Sequence, residues 1–86
     1  MLVKDEIARR LDDAFAPTHL DVADESHLHA GHASAPEAGQ SHFRVTIRGE
    51  AFRDKTRLEM HRMVNEALAE LIGNPIHALA INAAAD

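Results

Sequence analysis

His42-Phe43-Arg44-Val45-Thr46-Ile47-Arg48-Gly49-Glu50 carries the clearest alternation in the chain, with Phe43, Val45 and Ile47 on one side and Arg44, Thr46 and Arg48 on the other. Period two with β-branched residues inward is the pattern of a half-buried strand. A strand with one apolar face needs a second layer, and the flanks supply it. Downstream, residues 55–72 read as a long helix with Leu58, His61, Val64, Leu68 and either Leu71 or Ile72 along one side, and Gly73-Asn74-Pro75 stops it. Residues 76–83 then read as a strand, with Ile76, Ala78 and Ala80 on one face and His77, Leu79 and Ile81 on the other. Strand, helix, strand is a crossover unit, so the two strands are expected to be parallel, or at least in one sheet, with a right-handed connection.

Upstream, Val3, Ile7, Leu11 and Phe15 recur four apart among charged residues, one apolar stripe of an amphipathic helix that Pro17 ends. Leu20 and Val22 alternate with His19, Asp21 and Ala23, the mark of a short strand exposed on one face. Between the strands, Ser26 to Ser41 (SHLHAGHASAPEAGQS) has no sustained period and reads as a mobile, His-rich loop. Loops of this length in a compact domain are more often functional than merely connecting. The C-terminal residues 82–86 are expected to fray. One domain over residues 1–86 follows, because a chain this short buries only about 60–65% of its unfolded surface in a single core.

Composition narrows the function. Nine Lys and Arg against fourteen Asp and Glu give a net charge of −5, which opposes diffuse attraction to phosphate backbones, so nucleic-acid binding would need a local basic face. With no Cys, neither a disulfide framework nor a thiolate cage can come from this chain. The charged N-terminus lacks the apolar core of a signal peptide and no run is long enough to span a bilayer, so a cytoplasmic, membrane-free protein is expected. Ser41 and His42 are strand neighbours pointing to opposite faces, so they form no nucleophile–base pair, and no glycine loop cradles phosphate. Seven histidines, against the about two usual for this length, are the outlier.

The element order αββ(α)αβ, together with ESHLHAGHA, SHFRVTI, MHRMVNEAL and IHALAI, resembles the BolA family across nearly the whole chain. The resemblance implies an α+β fold like the class II KH domain, a three-stranded mixed sheet with helices packed on one face. It also implies a monomer when alone that is not an enzyme, and that pairs with a monothiol glutaredoxin and shares a [2Fe-2S] cluster with that partner and glutathione. A second role seen in the family is transcriptional regulation, linked to stress response and cell morphology, with DNA as partner. Three departures stand out. The family's Phe-x-Gly segment is Phe52-Arg53-Asp54 here, Met60 replaces the Arg before the helix histidine, and no GxxG loop of a nucleic-acid-binding KH domain is present.

By the resemblance, His77 is one cluster ligand and His29 the loop ligand, with His27 and His32 as substitutes. From the residues alone the alternatives stay open. H-x-H-x-x-H suits iron, zinc, copper or nickel, and direct zinc or copper capture by the loop is a third reading, but an Ala/Gly-rich loop also carries solvated histidines with no purpose. His77 could equally be a hydrogen-bonded strand histidine. His61, on the apolar stripe, reads as packed rather than ligating; His42 is placed to cap or orient its strand, and His19 to be exposed. For the nucleic-acid alternative, Arg53, Lys55, Arg57 and Arg62 cluster about the long helix with Arg44 and Arg48 on the polar strand face, without an aromatic side chain for stacking bases.

Overall fold

A computed structural model describes residues 2–25 and 42–85. It contains α1 (Val3–Phe15), β1 (His19–Asp24), β2 (His42–Arg48), a 3-10 turn (Glu50–Phe52), α2 (Arg57–Ala67) and β3 (Ala78–Ala84). The sheet order is β1-β2-β3, with β1 antiparallel and β3 parallel to β2. The expected α+β order therefore holds, with the bracketed helix reduced to the 3-10 turn. The His-rich segment 26–41, with His27, His29 and His32, lies outside the described residues.

Phe43, Val45 and Ile47 are buried, as the alternation of β2 requires. They sit in cross-strand rows: Val45 between Val22 and Ile81, Ile47 between Leu20 and Ala83, and Phe43 beside Leu79. Helix α1 lays Ile7 and Leu11 on this surface with Val3 and Phe15 at its ends, and the Phe15 and Phe52 rings meet at 5.0 Å. On its outer face the Glu6 carboxyl takes hydrogen bonds from Arg9 and Arg10, which hold it below the usual carboxylate range. Arg10 also reaches Glu70 at 3.2 Å, tying α1 to the segment after α2.

Thr56 starts α2 through a capping box: the Glu59 N–H donates to Thr56 Oγ1 at 3.1 Å, and the Thr56 N–H donates to Glu59 Oε1 at 2.8 Å. The bond from the Thr56 N–H, followed by its hydroxyl contact, lowers the Glu59 carboxyl pKa. Val64 and Leu68 enter the core flanked by Met60, Met63, Ala67 and Leu71, while Leu58, about 120° round the axis from Val64, is 61% exposed. The sequence stripe had counted Leu58 inward. The helix is also shorter than residues 55–72: beyond Ala67 the chain continues in turns, with the Leu71 N–H on the Leu68 carbonyl at 2.8 Å.

Gly73 then takes φ +93°, a left-handed turn that favours glycine, and its N–H donates to the Ile76 carbonyl at 2.7 Å. The expected fraying of residues 82–86 is corrected for Asn82 to Ala84, which belong to β3 opposite Thr46, Ile47 and Arg48. The Gly49 N–H on the Ala84 carbonyl and the Arg48 guanidinium on the Asn82 carbonyl pin that end.

Asp54 lies at φ +61°, where a Cβ collides with backbone. In the Phe-x-Gly pattern that the resemblance suggests, glycine would stand here, and a positive φ suits it. Asp54→Gly is expected to raise unfolding stability by up to about 1 kcal/mol, read from a denaturant midpoint; a lower midpoint would mean that aspartate fits this turn better than glycine. Val64→Asp, which places a carboxylate without a partner in the core, is expected to abolish cooperative thermal unfolding.

Candidate functional site

His77 stands at a bend between two fixed points. Before it, the buried Ile76 bridges Ile72 and donates its N–H to the Leu71 carbonyl at 3.0 Å; after it, Ala78 opens β3. Because the bend interrupts the strand, Ile76 and Leu79 both turn to the core although they are three apart. The period-two reading, which put His77 on the face of Leu79 and Ile81 and opposite Ile76, is corrected accordingly: the His77 side chain is exposed.

His42 opens β2 on the face opposite Phe43 and is half-buried. Its carbonyl accepts the Glu25 N–H at 2.7 Å. The parallel register pairs His42 with Ala78, so the His42 and His77 rings meet edge-on, with centroids 6.4 Å apart and planes at 66°. From the sequence, His42 was expected only to cap or orient the start of its strand. The one signal for its place beside His77 is that each precedes the first inward residues of a strand, and parallel strands align their starts.

The other histidines fall elsewhere. His19 is exposed at the far end of the sheet, opposite Arg48. His61 is half-buried in α2, where it lines a groove of about 470 Å³ with Arg57, Met60, Arg44 and the β3 residues Ile81, Asn82 and Ala83. Among the described residues, no three of His, Cys, Asp and Glu stand together closely enough to hold a metal ion.

Of the basic candidates, Arg53 pairs with Glu50 at 2.6 Å. Lys55, Arg57 and Arg62 are exposed, and Arg57 alone of these lines the groove. On the open sheet face, Arg44 is held by Glu25 at 3.1 Å and Arg48 donates to the Ile47 and Asn82 carbonyls. No helix among the described residues is long and apolar enough to cross a membrane.

Two helices backing one face of a small mixed sheet, with an imidazole pair where its parallel strands begin, define an α+β domain. The chain belongs to the BolA family. The family model described as BolA-like protein matches residues 11–86. The DNA-binding transcriptional regulator BolA of Vibrio cholerae is 40% identical over 81 residues, covering 94% of this chain and 73% of that protein. Human BolA-like protein 1 is 41% identical over 81 residues, 94% of this chain and 56% of the human one. Among solved structures, the BolA domain of SufE1 from Arabidopsis thaliana superposes with a TM-score of 0.84 at 32% identity, over 95% of this chain and 90% of that one.

Arg57 is the first residue of α2 and is exposed, so its charge can be reversed without touching the core. Arg57→Glu, with a carboxylate at a helix N-terminus, is expected to keep the unfolding free energy within about 0.5 kcal/mol of the parent; thermal denaturation followed by circular dichroism checks it.

Proposed function

We propose that this protein is an adaptor that docks on a monothiol glutaredoxin and co-ligates a bridging [2Fe-2S] cluster as cargo for iron–sulfur trafficking or iron homeostasis. The observation that carries the reading is His77: an exposed imidazole whose neighbours on both sides are fixed, in a chain with no thiolate of its own. His77 would supply one imidazole and His29 of the loop the second, with His27 and His32 as substitutes. The glutaredoxin cysteine and glutathione would supply the thiolates. Mixed imidazole and thiolate ligation of this kind is known from Rieske centres. Exposure of His77 lets a partner approach, and the anchored backbone presents the ring without a prior ordering cost.

The test mixes the purified chain with a monothiol glutaredoxin, glutathione, iron and sulfide, and records the visible spectrum and the size of the complex. The parent is expected to give a coloured heterodimer. His77→Ala is expected to keep the thermal unfolding of the chain alone and to lose or shift the cluster spectrum. A parent that gives no coloured complex, or a His77→Ala chain that unfolds while the surviving complex keeps an unchanged spectrum, would sink the proposal.

A second reading, nucleic-acid-binding transcriptional regulation, is favoured by the groove beside β3 with Arg57 and His61 in its wall, and by the name of the Vibrio cholerae relative. A regulator would keep a preference of about 10³ or more for its promoter duplex over random DNA at physiological salt.

A further inference from the structure

Strand β3 is an edge of the sheet, and the hydrogen bond at its end fixes which of its backbone groups face outward. The Gly49 N–H donates to the Ala84 carbonyl, so Ala84 turns its peptide groups toward β2. Alternation along the strand then points the N–H and C=O of Leu79, Ile81 and Ala83 away from the sheet, where no described strand pairs with them. Their side chains lie on the core side with Phe43, Val45 and Ile47, yet they are only half-buried where the β2 residues are fully buried. The core layer is open along this edge.

Open sheet edges are usually blunted by charge, proline or a bulge. The other edge, β1, carries Asp21 and Asp24, whereas β3 from Ala78 to Ala84 has neither a charged residue nor a proline. The groove of about 470 Å³ runs over the β3 edge itself, because its lining takes Arg44 and Asn82 from the open face of the sheet and Met60, Ile81 and Ala83 from the core side. Leu58, 61% exposed, stands beside His61 on α2 and extends the apolar rim. Charge selects the occupant. Among the described residues no Asp or Glu lines the groove. Arg44 is held by Glu25 at 3.1 Å, while the exposed Arg57 is bonded to no described carboxylate.

We propose that the free edge of β3 is a docking site for an extended acidic peptide, which adds as a further strand with apolar side chains against Ile81 and Met60 and a carboxylate toward Arg57. The site does not include His77, and the inference does not depend on the adaptor reading. A second copy of this chain fits the edge less well, since β3 brings no carboxylate to answer Arg57. Nucleic acid also fits less well. The lining has no Phe, Tyr or Trp on which bases could stack, and the outward backbone groups of Leu79, Ile81 and Ala83 complement those of another strand.

The experiment titrates the full chain with the labelled peptide Glu-Thr-Val-Thr-Val-Thr-Glu, whose symmetric pattern puts a carboxylate at the Arg57 end in either strand direction, and follows amide hydrogen exchange by nuclear magnetic resonance. With peptide at about ten times its Kd, exchange of the Leu79, Ile81 and Ala83 amides is expected to slow roughly tenfold. Arg57→Glu should weaken the acidic peptide about fivefold, the scale of an exposed ion pair, and the same peptide with Lys in place of Glu should bind the parent more weakly. Ala83→Pro removes an outward N–H without breaking a bond to β2, so it should keep cooperative unfolding and lose the peptide. Should Ala83→Pro fail to fold, the exchange measurement on the parent decides alone. No binding at millimolar peptide, unslowed amides in the complex, or equal binding of the Lys peptide would overturn the proposal. So would slow exchange of the same amides in the chain alone as it dimerises, which assigns the edge to a second copy. An oligothymidylate that slows these amides where the peptide does not would also overturn it and assign the groove to nucleic acid.

Discussion

The register between β2 and β3 is the constraint on which the rest of the molecule depends. Strand β2 is paired on both edges and buried on one face, and its three inward residues meet Leu79, Ile81 and Ala83 in rows that α1 and α2 cover. A slip of one residue would turn Arg44, Thr46 and Arg48 to the core and Phe43, Val45 and Ile47 to water, so the pairing has no neighbouring alternative. The same register sets His42 against Ala78. The imidazole pair is therefore positioned by the apolar pattern of the core, and core substitutions that disturb β2 would be felt there although they touch no histidine.

The crossover completes the placement. Helix α2 starts at a capping box, ends early at Ala67, and hands the chain through turns and Gly73 to Ile76, whose buried side chain and bridge to Ile72 act as an anchor one residue before His77. An anchored residue on one side and a paired strand on the other leave the imidazole with only its own rotamers to explore. Such support from the surrounding fold is what a ligand or docking residue needs if it is to meet a partner in one orientation.

How far the sequence revealed this depends on the range of the forces involved. The β2 alternation and the Val3, Ile7, Leu11, Phe15 stripe were legible because each element's burial is written in its own period. The extent of α2 and the phase of β3 were not. Leu58 reads as core until the packing of Val64 and Leu68 on the sheet turns it outward in the first turn of α2, and Ile76 reads as out of step with Leu79 until the bend at His77, beside its bridge to Ile72, is seen. His77 stood out as a candidate ligand only through family resemblance, and its nearness to His42 was not visible at all, because it follows from a strand pairing across the long connection of α2. The Asp at the end of Phe52-Arg53-Asp54 is a departure visible in the sequence, but only the backbone shows that it sits at positive φ.

Charge is distributed unevenly over the described surface. Most described arginines are spent internally: Arg9 and Arg10 on Glu6, Arg44 on Glu25, Arg53 on Glu50 and Arg48 on strand carbonyls. Lys55, Arg57 and Arg62 remain at α2, near the groove that reaches Ile81 to Ala83, whereas the imidazole pair lies where β3 begins. At a rise of about 3.3 Å per residue, Ala78 and Ala83 are roughly 16 Å apart. A protein partner of ordinary interface size buries about 800 Å² on each side, a patch wider than that separation. Arg44 already belongs to both regions, since it lies two residues from His42 on the same strand face and lines the groove. A partner seated broadly over the imidazoles on this side would thus screen the groove, and a nucleic acid in the groove would obstruct the partner. If both readings of function held, the two partners would compete for one surface.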